Sequence, residues 1–268
     1  MELFLLKDGD PAAVEPAHGA YLVFESHGSR LFGRIILPNF YDKESRCPVV
    51  LMLHGHPGGD KNLDIAEALR ANGCAVAVIS YRGVWGSHGD YLLSHNIEDV
   101  ISAVDFLRQN ADTYRLDPEK IFLFGHSMGG FSALNAMARG LRVSGAVLMA
   151  PYDAGYKYHY DRPNFDGVMA CKNRGYFRLS SENALEEDAA ENAEKWNFRN
   201  LLATLDKNLP YCFIDGTRDT TSQHMGPVVE EMKKAGFRAD YHLLEDGHMF
   251  PLHRATIARI ALDFFKKD

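Results

Sequence analysis

A lone serine sits where an apolar run ends among glycines: "FLFGHSMGGFSALNAMARG", residues 122 to 140, carries Gly125, Ser127, Gly129 and Gly130 in one short stretch. Glycine lets a strand and the helix that follows it approach closely through a sharp turn. In the G-x-S-x-G pattern such a turn holds a serine in a strained conformation, its oxygen exposed above a sheet. The alternative reading is a glycine-rich connection whose serine caps the helix. Context favours the first. "KIFLF" (Lys120 to Phe124) reads as a short buried strand, and Phe131, Leu134 and Ala138 recur at helical spacing.

A serine hydroxyl is a weak nucleophile until a base takes its proton and a third group orients that base. The run "ADYHLLE" leads into "DGHMF", which delivers His248 just past a strand. The preceding run "PYCFIDG" leads into "TRDTT", which delivers Asp219. The chain order Ser127, Asp219, His248 is that of serine-acid-histidine sites built on a strand-turn-helix nucleophile. Asp153, after "GAVLMA", competes for the role of acid, and His253 is a rival base; Asp246 reads as a turn-shaping residue. Acyl attack also needs fixed N–H donors for the oxyanion. The Met128 amide, directly after the serine, is one; "HGHPGG", residues 54 to 59, supplies the second. Pro57 has no N–H, so Gly55 or His56 donates, and His56 is the favoured choice. The same stretch reads alternatively as a plain turn, or His54 and His56 as paired metal ligands, although no further ligand spacing follows. His126 reads as a packed residue of the turn. No metal or organic cofactor is needed by this chemistry.

Elements able to position these residues recur along the 268-residue chain. "AYLVFES" and "RLFGRIILP" suggest an antiparallel hairpin. "PVVLMLH", "CAVAVIS", "KIFLFG", "GAVLMA" and "PYCFIDG" are nearly all apolar, as parallel strands covered on both faces are, and "ADYHLLE" completes the set. Helical patterns cover Leu63 to Ala71, Ile97 to Gln109, Phe131 to Ala138, Met225 to Ala235 and Ile257 to Phe265. The alternation predicts an α/β fold in one domain, a doubly wound, mostly parallel eight-stranded sheet with ligands beyond the strands' carboxyl ends. Residues 153–208 break the rhythm and read as a helical cap inserted in that domain. "SENALEEDAAENAEKW" is helical, with Ser180 or Ser181 as N-cap. Tyr156, Tyr158, Phe165, Tyr176 and Phe177 from this segment, with Trp85 and His88 from the loop after "CAVAVIS", are candidate substrate-binding residues; packing against the domain is the competing role for the aromatic ones.

Composition bounds the partners. A hydrophobic fraction of 46% and a charged fraction of 24% are ordinary for a soluble globular protein. The net charge of −7, without a dense basic stripe, argues against nucleic acid and anionic membranes. "MELFLLKDGD" lacks the features of a signal peptide, and no apolar run reaches the roughly 18 residues of a membrane span. Cys47, Cys74, Cys171 and Cys212 are scattered, as expected of small buried hydrophobes in a reducing compartment, and the cytoplasm is the expected location.

"HGHPGG", "GHSMGG", "GTRD" and "DGH" together resemble the oxyanion loop, nucleophile elbow, acid loop and base loop of the α/β-hydrolase superfamily, over roughly residues 20 to 265. "YRGVWGSHGDY" followed by "NIEDVISAVDFL" is similar to prolyl-oligopeptidase-type catalytic domains and dienelactone-hydrolase-like esterases. Peptidases of that type usually carry an N-terminal propeller, which the 46 residues before "CPVVLMLH" cannot build. Haloalkane dehalogenases share a His-Gly-x-Pro loop but use an aspartate nucleophile, and Ser127 stands against that chemistry. The resemblance implies a serine hydrolase acting on a small-molecule carboxylic ester, with an amide or peptide bond second and a non-catalytic ligand-binding role as the alternative from another class.

Overall fold

The computed structural model describes residues 10–170, 172 and 175–266. Strands β1 (His18–Ser26) and β2 (Ser29–Leu37) form an antiparallel hairpin. His27 and Gly28 both have positive φ, 47° and 76°, the turn that matches the twist of paired strands. Then follow β3 (Cys47–Leu53), α1 (Leu63–Ala71), β4 (Ala75–Ile79), α2 (Leu93–Gln109), β5 (Leu116–His126), α3 (Met128–Ala138) and β6 (Gly145–Met149). Four helices separate β6 from the next strand: α4 (Ala154–Tyr160), α5 (Arg162–Met169), α6 (Ala184–Trp196) and α7 (Phe198–Leu201). The chain closes with β7 (Pro210–Gly216), α8 (Met225–Lys234), β8 (Arg238–Leu244) and α9 (Arg254–Lys266).

All eight strands form one sheet in the order β1-β2-β4-β3-β5-β6-β7-β8. β2 runs antiparallel to β4, and every pair from β4–β3 through β7–β8 is parallel. Every residue of β4, β6 and β7 is buried, which is why those segments read as unbroken apolar runs. α1 and α9 cover one face; α2, α3 and α8 cover the other. The order of connections reverses around β3 and β5, so a crevice opens at their carboxyl ends. The loops after these two strands carry His54 to Gly59 and Ser127.

Local signals explain where sequence periodicity stopped short. α2 starts at Leu93 rather than Ile97, because its first turn holds the polar run Ser94, His95 and Asn96. α6 starts after Asn183, with no side-chain capping bond, so neither Ser180 nor Ser181 is its N-cap. The aromatic stretch before it forms two short helices. Asp153 caps the first by accepting from the Tyr156 amide at 2.9 Å, and Pro163 lies in the first turn of the second. Cys47, Cys74 and Cys212 are buried and free; Cys171 lies outside the described residues.

One buried polar knot fixes the loop after β4. Asp99 of α2, fully buried, accepts from the Arg82 amide and Nε, both at 2.7 Å, and from Ser26 Oγ of β1 at 2.7 Å. Arg82 also donates to the His95 carbonyl at 3.0 Å and pairs with Glu98. The loop carrying Trp85 and Tyr91 is thereby fastened to both the hairpin and α2. Removing one partner of a buried pair strands the other charge. Asp99→Ala should therefore lower the unfolding free energy by about 3–5 kcal/mol in urea titrations; a loss under 1 kcal/mol would show that Arg82 finds water instead.

Candidate active site

Ser127 is the residue between β5 and α3, with φ 54° and ψ −116°. An L side chain in that region is strained, and neighbours hold it there. The Ser127 amide donates to the Met149 carbonyl at 2.9 Å, and its own carbonyl accepts from the Tyr152 amide at 3.0 Å. The glycines are steric necessities. A Cβ on Gly129 would sit 2.0 Å from the Leu53 carbonyl oxygen, and one on Gly125 would lie 2.5 Å from that of Gly129. Strand β3 and helix α3 thus meet backbone to backbone beneath the serine. Met128 opens α3, so its N–H has no acceptor inside the helix.

His248 and Asp219 meet from separate loops, the His248 Nδ1–H donating to Asp219 Oδ2 at 2.8 Å. That bond leaves Nε2 as the free ring nitrogen. Burial opposes charge on Asp219, but the hydrogen bond and charge of His248, with the Thr221 amide and the Ser222 hydroxyl, outweigh it. The carboxyl is held below its ordinary value. Acid and base loops are bound to one another: the Thr217 amide donates to the Leu244 carbonyl at 2.8 Å and the Arg218 amide to that of Asp246 at 2.9 Å. The rival base is engaged elsewhere. His253 donates to Asp246 Oδ2 at 2.9 Å, and Asp246 also accepts from the Gly247 and Leu252 amides, so this pair shapes the base loop. Asp153, the rival acid, caps α4 and accepts from the Phe198 amide at 3.1 Å.

His126 lies under the base, ring centroids 5.0 Å apart, and its Nε2–H donates to the His248 carbonyl at 3.0 Å. Burial, with His248 close by, pushes its pKa down to about 3, so it is neutral. Gly55 lies against the serine: a Cβ there would be 3.2 Å from Ser127 Cβ. His54 and His56 do not converge as ligands would. His54 donates Nδ1–H to the Gly55 carbonyl at 2.8 Å and packs on Tyr81. The His56 ring instead stacks on Phe177 at 4.5 Å, and its Nδ1 lies 3.0 Å from the Tyr91 hydroxyl. The Tyr91 hydroxyl also accepts from Asn96 at 2.9 Å. Burial lowers the pKa of His56 to about 4.

The other expected substrate-binding residues divide into groups. Trp85 donates its indole N–H to the Pro57 carbonyl at 2.8 Å and stacks on Tyr176 at 5.9 Å, so these two and Phe177 border the loop after β3. His88 is turned away, packing edge-on against Phe32 of the hairpin. Phe165 is fully buried in the apolar core, which corrects the expectation that it binds substrate, and half-buried Tyr158 packs edge-on against it. Tyr156 stacks on His224 at 4.2 Å, beside the acid loop. His224 and Ser222 gave no sequence signal, because neither lies in a motif, and Tyr91 and Asp215 read only as parts of "YRGVWGSHGDY" and "PYCFIDG".

Asp215, 2% exposed near the end of β7, has no hydrogen-bond partner on either oxygen. Burial drives its pKa up to about 7, and the nearby Ser222 and Tyr241 hydroxyls offset this only in part. In the unfolded chain it titrates near 4. Between those values only the folded chain holds the proton, so stability from this group falls as pH rises from about 4 to about 7. Asp215→Asn should gain on the parent in thermal melts as pH goes from 5 to 8. A gap in Tm that stays constant across that range would show Asp215 ionising without cost.

A family model described as BD-FAE matches residues 35–157. Rat (Rattus norvegicus) liver carboxylesterase B-1 is 31% identical over 136 residues, covering 44% of this chain and 24% of that protein. The uncharacterized protein YfhR of Salmonella typhimurium is 27% identical over 136 residues, covering 50% and 46%. The matched segment spans less than half the length of either relative. Among solved structures, one from a study of two fungal esterases from Rhizomucor miehei aligns with TM-score 0.70 at 19% identity, over 94% of this chain and 85% of the other. An acylaminoacyl peptidase of Pyrococcus horikoshii aligns at 0.69 and 18%, over 94% of this chain and 42% of its own. Strand order, helix placement and these structural likenesses agree: the chain has the α/β-hydrolase fold.

Proposed function

We propose that this protein is a serine hydrolase that cleaves carboxylic esters through an acyl-enzyme on Ser127. The observation that carries the reading is the His248 Nδ1–Asp219 bond of 2.8 Å, placed on loops beside a serine at φ 54°. In this scheme Nε2 of His248 takes the Ser127 proton as Oγ attacks the ester carbonyl. Asp219, ionised at neutral pH, fixes the tautomer and stabilises the imidazolium that forms. The amides of Met128 and of the loop after β3, with His56 as the favoured residue there, donate to the oxyanion. His248 then protonates the leaving alkoxide, and a water activated by the same nitrogen resolves the acyl-enzyme. Carboxylesterase B-1 is named for ester chemistry, which favours esters over amides as the first substrates to test.

Labelling by a fluorophosphonate probe, followed by short-chain, long-chain and aromatic esters, tests the reading. Ser127→Ala should abolish labelling and turnover with the fold unchanged; a purified Ser127→Ala protein that still turns over esters rejects the assignment. Asp219→Asn should lower kcat by about 10⁴-fold, as loss of the correct tautomer does elsewhere. Asp153→Asn should act mainly on stability. The reverse ranking would move the acid to Asp153.

Residues 153–208 act in this proposal as a cap within the single hydrolase domain. Its contacts near the oxyanion loop are Phe177 on His56 and Tyr176 on Trp85. Phe177→Ala and Tyr176→Ala should shift the ratio of kcat/KM between a bulky aromatic ester and an acetate. Phe165→Ala should leave that ratio unchanged and cost about 3–5 kcal/mol of stability. Equal effects of all three on both esters would reduce the cap to packing.

A further inference from the structure

Outside the candidate catalytic residues, a cavity of about 520 Å³ opens between the hairpin, β4 and the start of α1. Its volume lies in the ordinary range of small-molecule sites. The walls are apolar: Tyr21, Phe32, Leu63, Val78 and Trp85. Three of them, Tyr21, Leu63 and Trp85, are among the exposed large hydrophobic side chains. The polar groups are of one sign. Lys61 and Arg34 line the cavity and no acidic residue does, in a chain whose net charge is −7. Lys61 Nζ donates to the buried Ser80 Oγ at 2.6 Å, and among the described residues no carboxylate pairs with it. Burial lowers its pKa, as expected for an ammonium without a counter-charge. The first turn of α1, to whose amides the Asn62 side chain makes no capping bond, adds its positive end at Leu63.

We propose that this cavity is a binding site for an apolar carboxylate, an aryl or alkyl acid whose body lies along Phe32, Val78 and Trp85 while its carboxylate takes the remaining donors of Lys61 and, at the mouth, Arg34. A partly desolvated ammonium gains more from an anion than a surface lysine does, and the apolar wall gives affinity to the rest of the molecule. A neutral ligand of the same shape would leave Lys61 as it is, so the site selects charge. The site does not depend on ester hydrolysis. It does touch the loop after β3, because Trp85 forms one wall and donates its indole N–H to the Pro57 carbonyl.

Trp85 also supplies the readout. The chain has two tryptophans, Trp85 at 44% and Trp196 at 2% exposure, so a ligand in the cavity changes emission through Trp85. Titration of the full chain with 4-phenylbutyrate should give a saturable emission change. The matched alcohol, 4-phenylbutanol, should bind at least about tenfold more weakly. Lys61→Gln should weaken phenylbutyrate by a similar factor and Lys61→Arg should restore it. Leu63→Glu, an exposed change at a helix start that tolerates acids, should also weaken it at least tenfold by repulsion, which keeps the test open if Lys61→Gln fails to fold. Equal affinity for acid and alcohol, unchanged binding in Lys61→Gln or Leu63→Glu, or no saturable signal would each overturn the proposal. All arms read binding, so they stand apart from any failure of fluorophosphonate labelling or ester turnover.

Discussion

The backbone of Ser127 is forced into a region that side chains avoid, and the carboxyl end of the sheet is built to hold it there. Its amide is taken by β6, its carbonyl by the chain leaving β6, and its turn fits only because α3 and β3 touch through Gly129 and Leu53. The strain is local, but the restraint comes from three strands and a helix. A fully buried sheet interior supplies the rigidity, and the same close approach lays Gly55 against the serine. Position and strain at this residue are therefore properties of the whole core rather than of a loop.

Electrostatics around the serine follow a consistent rule: buried groups without a counter-charge are kept neutral and one acid is kept charged. His126 and His54 are driven neutral by burial. Asp215, unpaired, takes up its proton far more readily than a free carboxyl. Asp219 alone among these gains enough hydrogen bonds to stay ionised, two from the backbone and side chain of its own loop and one from His248. Ser222 stands between the two aspartates and donates to Asp219, so the hydroxyl favours the ionised member of the pair.

The strands were legible because burial on both faces leaves an unmistakable apolar run, and "CAVAVIS" and "GAVLMA" each contain a strand with no exposed residue. Ser127 and Asp219 were legible because each follows such a run in a short loop, and His248 because it follows the last strand-like run, "ADYHLLE". Aromatic residues of the inserted segment were harder to assign. Phe165 and Phe177 look alike in the sequence, yet one is buried under Tyr158 and the other stacks on His56. Which face a short helix turns inward depends on partners remote in the chain, and a helix such as α4, seven residues long, has too few turns to display a period. Asp215 was hidden for a related reason: its place inside an apolar strand reads as a loop boundary until Tyr241 of the next strand is beside it.

His248 follows an edge strand of the sheet. β8 pairs on one side only, and none of its residues is fully buried. Beyond it, α9 is fastened back to α1 by Arg254, which grips Asp64 with two nitrogens and Asn62 with one. An edge of this kind opens at lower free energy than the centre of the sheet. Heating or mild denaturant should therefore separate His248 from Ser127 while β3, β5 and α3 are still folded.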